Sequence, residues 1–244
     1  MKRVAICLSG QIRTWKKVIN TWDKIVNSDV QVDYFIHMWN ETSVPIEGLT
    51  HRQIELIKLN QSEIDTVINT IKPVKFSIDS QEDYKKTLID DGYYNPYECQ
   101  YYSMFKSCEL KTKYEQDNGF IYDVVVKSRF DLFFNQDIIK TTNIKPNTIY
   151  AYSPAYDDND VLDRVADIFF YSDSKSANKL SNYLYEVNDL PDYYKDWSIA
   201  PEFGWFYHLK NSNIDIDVNH WDIKVVRNNM DEVKNKNFDY EIVL

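Results

Sequence analysis

The chain has 244 residues, 43% of them hydrophobic, and a net charge of −10 at pH 7. That length suits one large α/β domain or two small ones, and the acidity argues against general nucleic-acid binding. No apolar run approaches the roughly 20 residues that cross a bilayer, so no transmembrane segment is expected. The opening Met-Lys-Arg-Val-Ala-Ile-Cys-Leu has the look of a signal peptide. Its apolar run is short, however, and leads into Gln11 and Arg13 without a small-residue cleavage site. Three cysteines, Cys7, Cys99 and Cys108, show no paired spacing, and Cys7 on an expected buried strand and Cys108 on a helix face are read as core residues in a reducing compartment. With four histidines and no C-x-x-C, a structural zinc is not expected.

Residues 4–8, Val-Ala-Ile-Cys-Leu, read as a first strand, and Ser9-Gly10-Gln11 as the turn that follows. Trp15, Val18, Ile19, Trp22, Ile25 and Val26 then recur at helical spacing, which predicts a helix starting near Ile12 or Arg13. A strand, a glycine turn and a helix start form a place for an anion, because free N–H groups and the helix dipole point there. An ordinary βα turn explains the same residues, since one glycine makes neither a G-x-G-x-x-G nor a Walker loop. The first 24 residues carry Lys2, Arg3, Arg13, Lys16, Lys17 and Lys24 against Asp23 alone. A solvated helix face accounts for Lys16, Lys17 and Lys24. Arg13, beside the turn, is the candidate ligand contact.

Residues 32–38 read as a second strand ending in His37-Met38-Trp39-Asn40. His37 is read either as a ligand contact or as a hydrogen-bonded core histidine, and Trp39 as a base-stacking ring or a core ring. Residues 50–71 suggest two helical segments, with Ser62 and Asp65 resembling a capping box. A third strand is expected over 73–78, a turn-rich loop over 90–96, and a long helix over 97–115 stopped by Gly119. On that helix Gln100 and Lys106 are read as packing or solvated residues rather than ligand contacts.

The most informative stretch is Tyr122-Asp123-Val124-Val125-Val126-Lys127-Ser128-Arg129-Phe130-Asp131-Leu132-Phe133-Phe134. Three consecutive valines predict a central strand buried on both faces. Lys127, Arg129 and Asp131 are then expected at its carboxyl end, where open α/β sheets place their ligand crevice. Further strands are predicted over 148–152, 166–171, 214–218 and 223–227, with Ser172-Asp173 capping a helix that runs to about Val187. Asp157-Asp158-Asn159-Asp160 lacks the glycine and terminal glutamate of an EF-hand and is read as a surface loop. Residues 190–200 form a Tyr/Trp-rich loop with Tyr193, Tyr194 and Trp197, and Pro201-Glu202 opens a last helix. No linker or repeat interrupts the chain, so residues 1–244 are read as a single domain.

Taken together and in order, Ile6 to Thr14, Phe35 to Trp39, Gln100-Tyr101-Tyr102-Ser103, Tyr122 to Phe134, Asp167-Ile168-Phe169 and Pro201-Glu202 resemble a known family. The chain is similar to the small glycosyltransferases of surface-polysaccharide gene clusters and of large DNA viruses and phages. The likeness runs from Val4 to about Arg227. It implies an α/β, Rossmann-like GT-A fold: a mixed, mainly parallel sheet with helices on both faces. The donor half would cover about 1–134 and the acceptor half about 135–230. It also implies a cytoplasmic enzyme (host cytoplasm if viral) with a nucleotide-sugar donor and a glycan acceptor. By position in these motifs, Ser9, Gly10, Gln11, Arg13, His37, Trp39, Lys127 and Arg129 would line the donor, and Glu202 or Asp167 would be the catalytic base. Where GT-A enzymes carry Asp-x-Asp this chain has Arg129-Phe130-Asp131. The resemblance implies Mn²⁺ or Mg²⁺ on Asp131, whereas the sequence also allows Lys127 and Arg129 to supply the positive charge without a metal. Asp215-Ile216-Asp217, a literal Asp-x-Asp, sits in an alternating strand pattern and is rejected as the metal site. Two other readings stand beside the enzyme: a non-catalytic carbohydrate- or nucleotide-binding module of this fold and, against the lack of a P-loop, a sulfotransferase.

Overall fold

The computed structural model describes residues 1–26, 29–45, 54–90, 97–140, 142–152, 166–183, 201–226 and 241–242. A seven-stranded sheet organises the described residues. At its centre β1 (Arg3–Gly10) runs parallel to β2 (Gln31–Trp39) on one side and to β6 (Val124–Ser128) on the other. Beyond β2 lies β5 (Lys75–Asp79), also parallel. Beyond β6 the short β9 (Phe170–Ser172) is antiparallel to both β6 and β8 (Thr148–Tyr152), and β10 (Asp215–Asn219) closes that edge parallel to β8. The strand order is therefore β10-β8-β9-β6-β1-β2-β5. The chain moves outward from β1 to β2 to β5 and then returns to the other side of β1 as β6. This reversal creates a crevice outside the carboxyl ends of β1 and β6.

The strands are apolar on both faces because each face has its own helical layer. On β1, Val4, Ile6 and Leu8 pack in a cluster with Trp15, Val18, Trp22 and Val67, whereas Ala5 and Cys7 pack with Tyr101, Met104 and Cys108. On β6, Val124 and Val126 join the first cluster and Val125 the second. All five residues of β6 are buried. Each such valine contributes about 1.5–3 kcal/mol by leaving water, which is why this strand anchors the sheet. The first layer holds α1 (Trp15–Val18) and α2 (Gln61–Ile71). The second holds α4 (Glu98–Asn118), α5 (Ser174–Ser181) and α6 (Pro201–Asn211). A further helix, α3 (Gln81–Asp90), follows β5 directly.

Several expected elements take a different form. In place of one helix after Ile12, α1 is a single turn that tightens into a 3-10 segment over Ile19–Lys24. Trp22 stays in the core there, with its indole N–H donating to the Leu132 carbonyl at 3.2 Å. The first of the two helical segments expected over 50–71 is instead β4 (Ile54–Lys58), paired antiparallel with β3 (Glu41–Pro45). The second segment is α2, but its capping box lies at Asn60 and Glu63 rather than at Ser62 and Asp65. The strand expected over 166–171 shrinks to β9, which leaves Asp167 in a turn ahead of it. Asp173 caps α5 as expected, its carboxylate accepting from the Ser176 N–H at 3.0 Å. The long helix α4 ends at Gly119, which adopts a left-handed φ of 67° and donates its N–H to the Glu115 carbonyl. Asp215 and Asp217 fall on the edge strand β10, separated from β6 by β8 and β9.

A second small sheet braces the first. β7 (Leu132–Phe134), immediately after Asp131, pairs antiparallel with β11 (Ile223–Val226), and β11 pairs with β12 (Glu241–Ile242). Among the described residues no helix is long and apolar enough to cross a membrane. The acidic stretch Asp157–Asp160 and the aromatic loop with Tyr193, Tyr194 and Trp197 lie outside the described residues.

Candidate functional site

A cavity of ≈ 300 Å³ opens where the strand order reverses, lined by residues that include Ser9 and Gly10 ending β1, Gln11 and Arg13 after it, Trp39 ending β2, and Lys127, Arg129 and Asp167. Gln81 at the start of α3 and Cys99, Gln100 and Ser103 on α4 also line it. Open α/β sheets bind their ligands in this position. The structure thus brings together eight of the sequence's candidates from four separate segments.

The turn after β1 is shaped by Gly10, whose φ of 107° suits glycine alone and whose missing Cβ leaves open space. Gln11 then ties the floor together. Its Oε1 accepts from the Ser43 N–H at 3.0 Å and from Arg13 Nε at 3.1 Å, while its Nε2 donates to Gln81 Oε1 at 2.6 Å. Gln81 is held in turn because the buried Glu41 accepts from its backbone N–H at 2.7 Å and from Ser80 Oγ at 3.0 Å. Arg13 has a left-handed φ of 36°, unusual for a residue with a Cβ, and its Nε also reaches Ser43 Oγ at 3.2 Å. Strain at such a residue persists only where its surroundings over-determine it.

The cations sit on the cavity and the acid behind it. Asp131 is 1% exposed. Its Oδ1 accepts from Arg129 Nε at 2.9 Å, and its Oδ2 accepts from Arg129 Nη2 at 2.7 Å and from Arg13 Nη1 at 3.1 Å. Burial draws the Arg13 guanidinium down to about 10 against the pull of Asp131, which leaves it charged at neutral pH. For Arg129 burial acts in the same direction, but Asp131 and Asp167 outweigh it and its pKa is raised. Lys127 is fully buried, donates from Nζ to the Asp167 backbone carbonyl, and lies 5.6 Å from the centroid of the Trp205 ring. Burial drags it down to about 7, with Asp167 only partly compensating. The site therefore contains a lysine poised to take or lose a proton near neutrality.

Asp167 lines the cavity with its carboxylate accepting from Gln100 Nε2 at 2.6 Å. Gln100, read from sequence as a packing residue, is thus part of the site. Ser103 and Gln81 were missed. The first belongs to the Gln100-Tyr101-Tyr102-Ser103 motif, and the second had no signal because α3 itself was not expected.

His37 takes its core reading. It is fully buried between Ser103, whose Oγ is 2.6 Å from Nδ1, and Asp79, whose Oδ2 is 3.1 Å from Nε2. It does not contribute to the cavity wall but orients Ser103, which does. Trp39 is both a core ring and a site ring: it lines the cavity, stacks with Tyr84 and Tyr102 at 5.8 and 5.6 Å, and meets His37 edge-on at 4.9 Å. Glu202 lies on α6, and its side chain is outside the described residues.

The side chains present do not fit a protein-held divalent ion at Asp131. Such an ion needs carboxylate lone pairs directed at it, and both oxygens of Asp131 are taken by guanidinium N–H groups. Among the described residues no three His, Cys, Asp or Glu side chains gather to hold one. Compared with protein-family models and with curated protein sequences, the chain finds no match.

Proposed function

We propose that the chain is a glycosyltransferase of GT-A type that moves a sugar from a nucleotide-diphosphate donor to a carbohydrate acceptor in polysaccharide biosynthesis. The observation that carries this reading is the cationic cavity at the reversal of strand order, lined by Arg13, Lys127 and Arg129 beside the Gly10 turn and the Trp39 ring. Each part suits one part of such a donor. The open backbone at Gly10 admits close approach of a phosphate. Trp39, buried at the cavity wall and packed against Tyr84 and Tyr102, gives the donor side of the cavity a rigid aromatic backing. As the glycosidic bond to the diphosphate breaks, negative charge grows on the leaving group, and the guanidinium groups are in place to stabilise it. Asp167, at the cavity wall, is the base that takes the proton of the acceptor hydroxyl, with Glu202 on α6 as the other candidate. The three cysteines are free and buried, which suits a reducing cytoplasm.

A non-catalytic nucleotide- or glycan-binding module is the second reading, favoured by Arg129 standing where an acid is usual. One experiment separates them. UDP-, GDP- and TDP-sugars are screened by thermal shift, with CMP-sugars as monophosphate controls, and nucleotide release is then followed for any donor that stabilises the protein. A donor that binds and is hydrolysed, with hydrolysis lost in Asp167→Asn, supports the enzyme. A donor that binds and stays intact supports the binding module. If no nucleotide sugar binds, the donor reading fails.

A further inference from the structure

Arg13, Arg129 and Asp131 form a layered arrangement. Both arginines line the cavity and Asp131 does not; its buried carboxylate sits behind them and accepts N–H groups from both. The Arg129 pair is bidentate, two parallel N–H···O bonds that fix the plane of the guanidinium. Arg13 is fixed from a second side, since its Nε is shared between Gln11 Oε1 and Ser43 Oγ. These bonds use Nε and Nη2 of Arg129 and Nε and Nη1 of Arg13. Nη1 of Arg129 and Nη2 of Arg13 have no hydrogen-bond acceptor among the described residues. Lys127, completely buried, spends one donor on the Asp167 carbonyl and has no carboxylate at ion-pair distance among the described residues. Two guanidinium groups, held by the acid that a metal would otherwise need, thus line one small cavity beside the Lys127 amine, with donor capacity left over.

We propose that Arg13 and Arg129, tethered to each other through Asp131, act with Lys127 as a metal-independent clamp for a diphosphate. The clamp stands in the place that a divalent ion holds in the fold the sequence resembles. Its logic is geometric: two planar forks held at fixed angles present N–H pairs to phosphate oxygens, and a point charge completes the set. Because the carboxylate already orders both side chains, little rotamer freedom remains to be lost on binding. The proposal rests on the donor reading only for what the diphosphate is attached to; the clamp itself would hold any diphosphate.

The test is isothermal titration of the full chain with inorganic pyrophosphate, UDP and GDP, first in EDTA and then with excess Mg²⁺ or Mn²⁺. The expected result is binding in EDTA, with a Kd that metal changes by less than about threefold. Arg129→Gln should weaken binding by about tenfold or more, the loss of charge-assisted hydrogen bonds to a phosphate. That variant leaves Asp131 paired with Arg13, and far-UV circular dichroism checks that it folds. Mn²⁺ alone, followed by electron paramagnetic resonance, should show no site that Asp131→Asn abolishes. Binding of pyrophosphate only in the presence of metal overturns the clamp, as does a folded Arg129→Gln that binds like wild type, or absence of binding under every condition. Binding of pyrophosphate in EDTA with no affinity for any nucleotide sugar leaves the clamp standing and removes the donor reading.

Discussion

Arg13 and Asp131 lie 118 residues apart in the chain and meet at 3.1 Å, with the carboxylate almost wholly out of water. The pair joins the turn after β1 to the turn after β6, so the two strands that frame the cavity are also linked across it. Removal of the acid leaves two largely buried guanidinium groups facing one another. Asp131→Ala is therefore expected to lower the unfolding free energy by about 3–5 kcal/mol, the cost of orphaning a buried charge. Urea denaturation at neutral pH measures it, and a loss within experimental scatter would show that the network carries no stability.

Lys127 gives the stability a signature in pH. Its pKa is lowered from 10.5 to about 7 by burial, so between those values the unfolded chain binds a proton that the folded chain does not. Stability must rise with pH across that window, and the cost is fully present below it. Lys127→Met should be more stable than wild type at pH 6, with the difference shrinking toward pH 10. Parallel curves for the two proteins would contradict the assignment.

His37 predicts the acid side. Burial lowers its pKa from 6.5, against the opposing effect of the hydrogen bond it donates to Asp79. As pH falls below 6.5 the unfolded chain gains a proton that the native chain resists, so stability declines until the native pKa is passed. Asp79, whose pKa is lowered first by its hydrogen bond to His37, adds stability that is lost at lower pH still. Charges facing the ring are Asp79 from β5 and Lys106 from α4. His37→Gln should melt lower than wild type at pH 7.5 and show a smaller further drop by pH 5.

Gly204 marks a close approach in the second helical layer. A Cβ there would lie 2.3 Å from Tyr183 Oη. Gly204→Ala should cost about 1–3 kcal/mol through overpacking. Adding Tyr183→Phe should return part of that loss, because the oxygen is gone but the ring carbon Cζ still lies 3.0 Å away. A double-mutant cycle in urea reads the coupling, and additive effects would argue against the contact.

The strands that build the site were legible because their signals are local. Val124–Val126 and the Val4–Leu8 run announce buried strands, and the charged residues after them have nowhere to go but the carboxyl edge. Gly10 likewise marks its own turn. The features that escaped depend on distant partners. Ile54, Leu56 and Ile57 fit a helix or a strand equally well over so short a run, and pairing with Glu41–Pro45 decides it. Trp15, Val18, Ile19 and Trp22 satisfy 3-10 as well as α-helical spacing over one turn, and the indole bond to Leu132 selects the tighter form. The α3 sequence has little apolar face, so its position is set by Glu41 from another segment. Asp131 looks like a metal ligand in isolation; only the arrival of Arg13 from the far end of the chain shows where its lone pairs are spent.

The bracing strand β11 has a consequence for the order in which the protein becomes competent. Val226 accepts from Thr14 Oγ at 2.5 Å and donates its N–H to the Asp131 carbonyl at 2.8 Å, so it grips the residues next to Arg13 and Asp131 itself. On a ribosome Arg13 emerges before Arg129 and Asp131, and Ile223–Val226 only after the described residues that line the cavity. A nascent chain can pair its arginines before it can hold them still. The cavity therefore acquires its rigid form only once β11 has been made, and a chain that stops short of it has no finished site in which to sequester a ligand.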